Sequence, residues 1–154
     1  MKYISTGEDK KMIEEVFKLY SEHVQPKMVH FKRGAVHNDL NCDNFICIKK
    51  ESDGNSWEFS GLIDVMDTVV SCSVFDGAIF ISHMMMEKCT NPLEHTKPAV
   101  SGYLSNHMLN KEEFDCLYYV VASYLCQMFL ESLKSCSLHP ENSYRARFMQ
   151  KRVT

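Results

Sequence analysis

Apolar positions Met12, Ile13, Val16, Phe17, Tyr20 and Val24 recur at helical spacing behind Thr6-Gly7-Glu8-Asp9, a capping box with Asp in the Glu position. A helix is predicted over 8–24, ending at or before Pro26. Residues 27–36 carry the chain onward, the last few extended and His30 at the core edge. Phe45 to Ile48 and Trp57 to Ile63 read as two strands of a hairpin, turning at Ser52-Asp53-Gly54-Asn55-Ser56. The run Thr68 to Ser73 is too polar and β-branched for a helix and reads as a loop. The next helix starts near Val74 or Phe75 and runs to about Lys88, burying Phe75, Ile79, Met85, Met86 and Cys89, with Met84 to Met86 as gap-filling core.

Thr96-Lys97-Pro98 reads as a cap with Pro in the first turn, opening a helix through about His107 that buries Val100, Tyr103 and Leu104. Asn110, with Glu113 at the capping-box position, starts the longest helix. Its apolar face is expected at Phe114, Leu117, Tyr118, Val121, Leu125, Met128 and Phe129. His139-Pro140-Glu141-Asn142 breaks the chain before a basic, helical stretch from Tyr144 to Arg152, whose Arg145, Arg147, Lys151 and Arg152 read as a solvated face. The elements add up to an α+β fold, mostly α, with no internal repeat or long linker.

Composition narrows the function classes. The 154 residues suit one domain, and 45% hydrophobic with 24% charged residues is ordinary for a globular protein. A net charge of −3 argues against a nucleic-acid partner. Seven cysteines, odd in number and without a C-x-x-C pair, follow an N-terminus lacking a signal-peptide apolar core; free thiols in a cytoplasmic setting are expected. Cys42, Cys47 and Cys72 lie near His37 in sequence, but their spacing is irregular for zinc. No apolar run approaches the roughly 18 residues of a membrane span, so no membrane partner is expected.

The candidate chemistry lies in His37-Asn38-Asp39-Leu40-Asn41-Cys42-Asp43-Asn44, answered by Leu62-Ile63-Asp64-Val65-Met66-Asp67. Phosphoryl transfer needs a carboxylate that orients the attacking hydroxyl and oxygen ligands that hold magnesium against nucleotide phosphates. Asp39 and Asn44 supply one of each from a single loop, and the hairpin returns Asp64 to the sheet end where Asn44 entered. Taken alone, H-x-D-x-x-x-x-N is a weak pattern whose Asp residues also suit turns and caps. Its joint occurrence with the hairpin, the apolar-flanked Asp64 and a further Asp in Val74-Phe75-Asp76-Gly77-Ala78 makes it specific.

These three motifs, in order across roughly residues 10 to 150, resemble the catalytic half of the aminoglycoside-phosphotransferase and choline-kinase-like small-molecule kinases, most of all their hydroxylysine kinase branch. The resemblance implies the C-terminal lobe of a protein-kinase-like fold over 1–154, without the N-terminal lobe that carries a phosphate-covering loop and strand Lys. It implies Asp39 as catalytic base, His37 as the residue orienting the loop, Asn41 near the transferring phosphate, Asn44 and Asp64 as magnesium ligands contacting the nucleotide, and Asp67 as a second metal or substrate contact or a loop cap. Asp76 would brace the catalytic loop through its backbone amides. The implied reaction moves the γ-phosphate of GTP or ATP to the hydroxyl of 5-hydroxy-L-lysine, with weak or no turnover by a lone lobe. Glu87, Glu94 and Glu131 are candidates for reading an amino acid's ammonium. Choline or an aminoglycoside-like amino alcohol are alternative acceptors within the family. A non-catalytic lobe serving as a binding or regulatory module is the competing class, and a metal-dependent phosphoesterase ranks last, since Asn44 and Asp76 suit the kinase pattern. Asn38 departs from the family's usual Gly or Arg. A lobe without its partner would leave an apolar face open to self-association.

Overall fold

Helix α4 (Lys111–Leu138) is the spine against which α1 (Gly7–His23) and α2 (Val74–Met86) pack. The computed structural model describes residues 4, 6–50, 55–87 and 90–141. Of these, 65% are helical, and the strands form two small antiparallel sheets.

The start of α4 is decided by chemistry at two residues. The Asn110 side chain accepts the Glu113 amide at 2.8 Å, and the Glu113 carboxylate accepts the Asn110 amide at 2.8 Å, completing the capping box. The other Glu113 oxygen accepts the Lys32 amide at 2.7 Å, while Asn110 Nδ2 donates to the His30 carbonyl. Glu113 is therefore wholly buried yet satisfied, and it ties α4 to the segment leading into the first strand. This pairing turns the inner face of α4 to Glu113, Cys116 and Val120, with Leu117 and Val121 beside them. Phe114 and Tyr118, expected inside, are 59% and 73% exposed. Hydropathy pattern missed this rotation because the inner row begins with a carboxylate and a thiol.

Strand β1 (Arg33–Val36) pairs antiparallel with β4 (Val69–Cys72), so the segment expected to be a loop is a strand. Its β-branched residues suit extended backbone once β1 supplies a partner, and pairings from Val36 with Val69 to Arg33 with Cys72 are too distant in sequence to leave a local signal. Strands β2 (Phe45–Lys49) and β3 (Trp57–Leu62) form the expected hairpin, with a bulge between Ile46 and Cys47. Helix α1 begins as expected, with Thr6 Oγ1 accepting the Asp9 amide at 3.1 Å.

Helix α3 (Pro92–Asn106) starts earlier than predicted: Asn91 is its cap, accepting the Glu94 amide, and Pro92 is at its first turn. Thr96 is an interior residue whose hydroxyl bonds back to Pro92 and Leu93 carbonyls, and Pro98 sits inside the helix. His30, expected at the core edge, is exposed. The main core joins Val24, Phe31, Cys72, Val74, Ala78, Cys116 and Val120. In α2, Val74, Ala78, Ile79 and Ile81 are buried, whereas Phe75, Met85 and Met86 are only half-buried. Cys89 and the basic stretch from Tyr144 to Arg152 lie outside the described residues.

By length and composition alone α4 would suffice to cross a membrane, against the expectation from the sequence; here it packs on α1 and α2. The hairpin keeps Ile48, Trp57 and Phe59 more than half exposed, and other exposed apolar side chains, among them Val29, Val70 and Met108, are spread over other elements.

Candidate functional site

Strand β1 delivers His37 to the start of α2. There the Asp76 carboxylate accepts the His37 amide at 2.9 Å and the Asn38 amide at 3.0 Å. Two neighbouring amides can converge on one carboxylate because Asn38 is left-handed, with φ at 69°. Asn tolerates that region better than most side chains, so its presence between His37 and Asp39 suits the turn.

The His37 ring is buried and its two nitrogens are assigned by their partners. Nδ1 accepts the Asp39 amide at 3.3 Å, which leaves Nε2 as the protonated nitrogen donating to the Ile63 carbonyl at 2.9 Å. One imidazole thus joins the loop to the end of the hairpin. A second tie is the Ile63 amide, which donates to the Asn44 carbonyl at 3.0 Å. Asp64 follows directly, exposed and left-handed with φ at 61°, and opens the short turn that holds Asp67, also exposed.

Both carboxylate oxygens of Asp39 are held by side-chain amides. Asn41 Nδ2 donates to Oδ1 at 3.0 Å, and Asn44 Nδ2 donates to Oδ2 at 3.1 Å and to the Asp39 carbonyl at 2.8 Å. Asn41 Oδ1 accepts the Asp43 amide at 2.8 Å, capping the single turn Cys42–Asn44. The amide orientations follow from these partners, since a carboxylate only accepts and a backbone N–H only donates. The carboxylate is thereby fixed in direction, each oxygen keeping acceptor capacity.

The donor set fits magnesium in kind. With Nδ2 turned to Asp39, Asn44 offers Oδ1 as an oxygen ligand, and the bond from Ile63 to Asn44 brings the Asp64 backbone alongside. Among the described residues no cluster of three or more His, Cys, Asp or Glu is placed to hold a metal. Magnesium needs no such cluster, since it is held through one or two protein groups plus phosphates and water. Of the cysteines near His37 in sequence, Cys72 is buried in the core, and the Cys42 thiol contacts Met84 Sδ at 3.6 Å.

Among the described residues, clefts lie on either side of the loop. One, of about 520 Å³, reaches from Asn38 between α1, α2 and α4 and includes Tyr20, Phe75 and Tyr124. The other, of about 400 Å³, lies between loop, hairpin, α2 and α3, where Leu40, Phe45, Gly77, Phe80, Gly102 and Tyr103 line it. Burial pushes the Tyr103 phenol up to about 12, helped by the negative charges of Glu113 and Asp76. Its hydroxyl faces the Ser73 carbonyl at 3.4 Å. Neither cleft is lined by Glu87, Glu94 or Glu131; Glu94 pairs with Lys97 at 2.7 Å and Glu131 with Lys134 at 3.9 Å. Sequence reasoning missed the second cleft, whose only signal was a pair of helix-unfavourable residues, Pro98 and Gly102, inside α3.

Over most of its length the chain is similar to curated proteins named hydroxylysine kinase. It is 31% identical to that of Mus musculus and 30% identical to that of Bos taurus, each over 141 residues and 90% of this chain. The Danio rerio protein is 32% identical over 86% of the chain. The match is what a C-terminal portion of that family would give, and the chain spans about 37% of the length of the mouse and bovine relatives. No protein-family model matches the chain. No solved structure matches it.

Proposed function

We propose that the His37 to Asp64 region is the catalytic centre of a small-molecule kinase, in which Asp39 orients an acceptor hydroxyl for attack on the terminal phosphoryl group of GTP or ATP. The acceptor on this reading is 5-hydroxy-L-lysine, which the name of the relatives suggests. The single observation that carries the reading is the two-sided clamp on Asp39 by Asn41 and Asn44. A carboxylate held in direction beside an oxygen ligand suits a reaction whose catalysis is mainly positioning and electrostatics.

The remaining residues divide the work. Asp76 and His37 position the loop, the first through two amides and the second through the Ile63 carbonyl. Asn41 acts here as a positioning residue, because its amide faces Asp39. Asn44 Oδ1 and Asp64 would hold magnesium, with Asp67 close in sequence as a further oxygen ligand. When bound, the ion would neutralise charge on the nucleotide phosphates. The nucleotide-cradling lobe, on this reading, lies outside the 154 residues, so turnover by this chain alone should be orders of magnitude below that of a complete enzyme.

A magnesium-dependent nucleotide titration of the chain and of Asp64→Asn tests the proposal. The expected result is weak, magnesium-dependent binding that the substitution lowers by at least about tenfold, as loss of a charged metal contact should. Equal and negligible binding in both proteins would replace the enzyme reading with that of a non-catalytic module.

A further inference from the structure

We propose that the 400 Å³ cleft beside Leu40 receives the aliphatic body of the phosphoryl acceptor, and that Gly102 keeps it open. The inference rests on the kinase reading for the word acceptor, but its geometry stands apart from that reading.

Position comes first. Leu40 directly follows Asp39 and Phe45 directly follows Asn44, and both line the cleft. The wall therefore begins one residue beyond the candidate base and one residue beyond Asn44, which clamps that base and offers the metal ligand. Asp76, beneath them, spends its carboxylate on the His37 and Asn38 amides.

Chemistry comes second. The other walls are Phe80 and Gly77 of α2 and Pro98, Ala99, Gly102 and Tyr103 of α3. Tyr103 directs its hydroxyl to the Ser73 carbonyl, and its raised pKa keeps the phenol neutral. An acceptor carrying hydroxyl or ammonium groups on every carbon would strand them against these walls without partners. A slender alkyl chain whose polar groups sit at its ends suits them, and a volume of about 400 Å³ is within the usual range for a small-molecule site. Within the candidate acceptors, this favours a hydroxylated alkyl amine over an amino sugar.

Gly102 is the third observation. Glycine is the least favourable residue but proline in a helix interior, yet Gly102 stands in α3 with a proline four residues before it. Packing does not require it, because a Cβ added there would meet nothing within 4 Å. At Gly77 the reverse holds: an added Cβ would fall 2.3 Å from the Tyr103 ring. Gly77 admits a neighbour, whereas Gly102 is exposed at the edge of the cleft with open space beyond its Cα.

The test is binding of 5-hydroxy-L-lysine to the 154-residue chain without nucleotide, by calorimetry and by amide shifts in NMR, for wild type, Gly102→Ala and Gly102→Leu. Shifts are expected at Leu40, Ala99, Gly102 and Tyr103. Gly102→Leu should weaken binding at least about tenfold, as misfitted methylenes in an apolar pocket do. Gly102→Ala should change it less than about threefold, and both variants should melt no lower than wild type, because each improves helix propensity. No binding by wild type, binding whose shifts fall elsewhere, an amino sugar that binds as well, or undiminished affinity in Gly102→Leu overturns the proposal. Nucleotide binding in the Asp64→Asn comparison is read separately, so a chain that holds magnesium and nucleotide but is indifferent to Gly102→Leu keeps the kinase reading and loses this one. A chain that takes the acceptor in this cleft but binds no nucleotide does the opposite.

Discussion

At the scale of single residues, the site depends on side chains satisfying backbone groups. Asp76 is the clearest case, because its two oxygens hold the amides of His37 and Asn38 at 2.9 and 3.0 Å. Asp76→Ala would leave both amides without that acceptor and should cost about 2–3 kcal/mol, since hydrogen bonds to a charged group are among the stronger ones. Asp76→Asn, which keeps one oxygen, should cost less. Urea unfolding of the three proteins ranks them, and equal midpoints would mean that the loop holds its shape without the brace. This bracing was foreseeable from the family resemblance. The Lys32 amide on Glu113 was not, because a capping-box Glu looks fully employed in its own helix.

Among the elements, α2 and α3 meet where Gly77 faces the Tyr103 ring, and two glycines of like appearance in sequence have opposite consequences. Gly77→Ala drives a methyl into the ring and should destabilise by about 1–3 kcal/mol, the usual range for overpacking. Gly102→Ala meets open space and should stabilise by about 0.5–1 kcal/mol through helix propensity alone. Thermal melts of both variants check the contrast, and a shift of the same sign in each would refute it. Helical spacing reveals α2 and α4 but not their facing sides, which is why Phe114 and Tyr118, expected inside α4, are found outside.

For the molecule as a whole, burial of thiols and phenols sets an alkaline limit. Desolvation raises Cys72, Cys116 and Cys126 above their ordinary value of 9.0, and Tyr20 above 10.0. Tyr103 moves furthest, to about 12. Each of these acids loses its proton more readily when unfolded than when folded. Their contribution to stability is thus complete below pH 9 and is lost as pH rises through the folded values. The urea midpoint should hold steady up to about pH 9 and fall between there and 12. Tyr103→Phe should flatten the upper part of that fall, and an unchanged slope would assign the alkaline limit to other groups.

Read alone, the sequence determined the local features: the Thr6 and Asn110 caps, the β2 and β3 hairpin, and the order of loop, Asp64 and Asp76. Caps, turns and motif spacing act over a few residues, so adjacent side chains suffice to specify them. Only the tertiary structure decided that Val69–Cys72 is a strand, that Glu113 and Cys116 lie inside, and that Leu40, Phe45 and Gly102 enclose one cleft. Those outcomes depend on partners tens of residues away, and the choice among faces of a helix is made by what packs against it rather than by its own period.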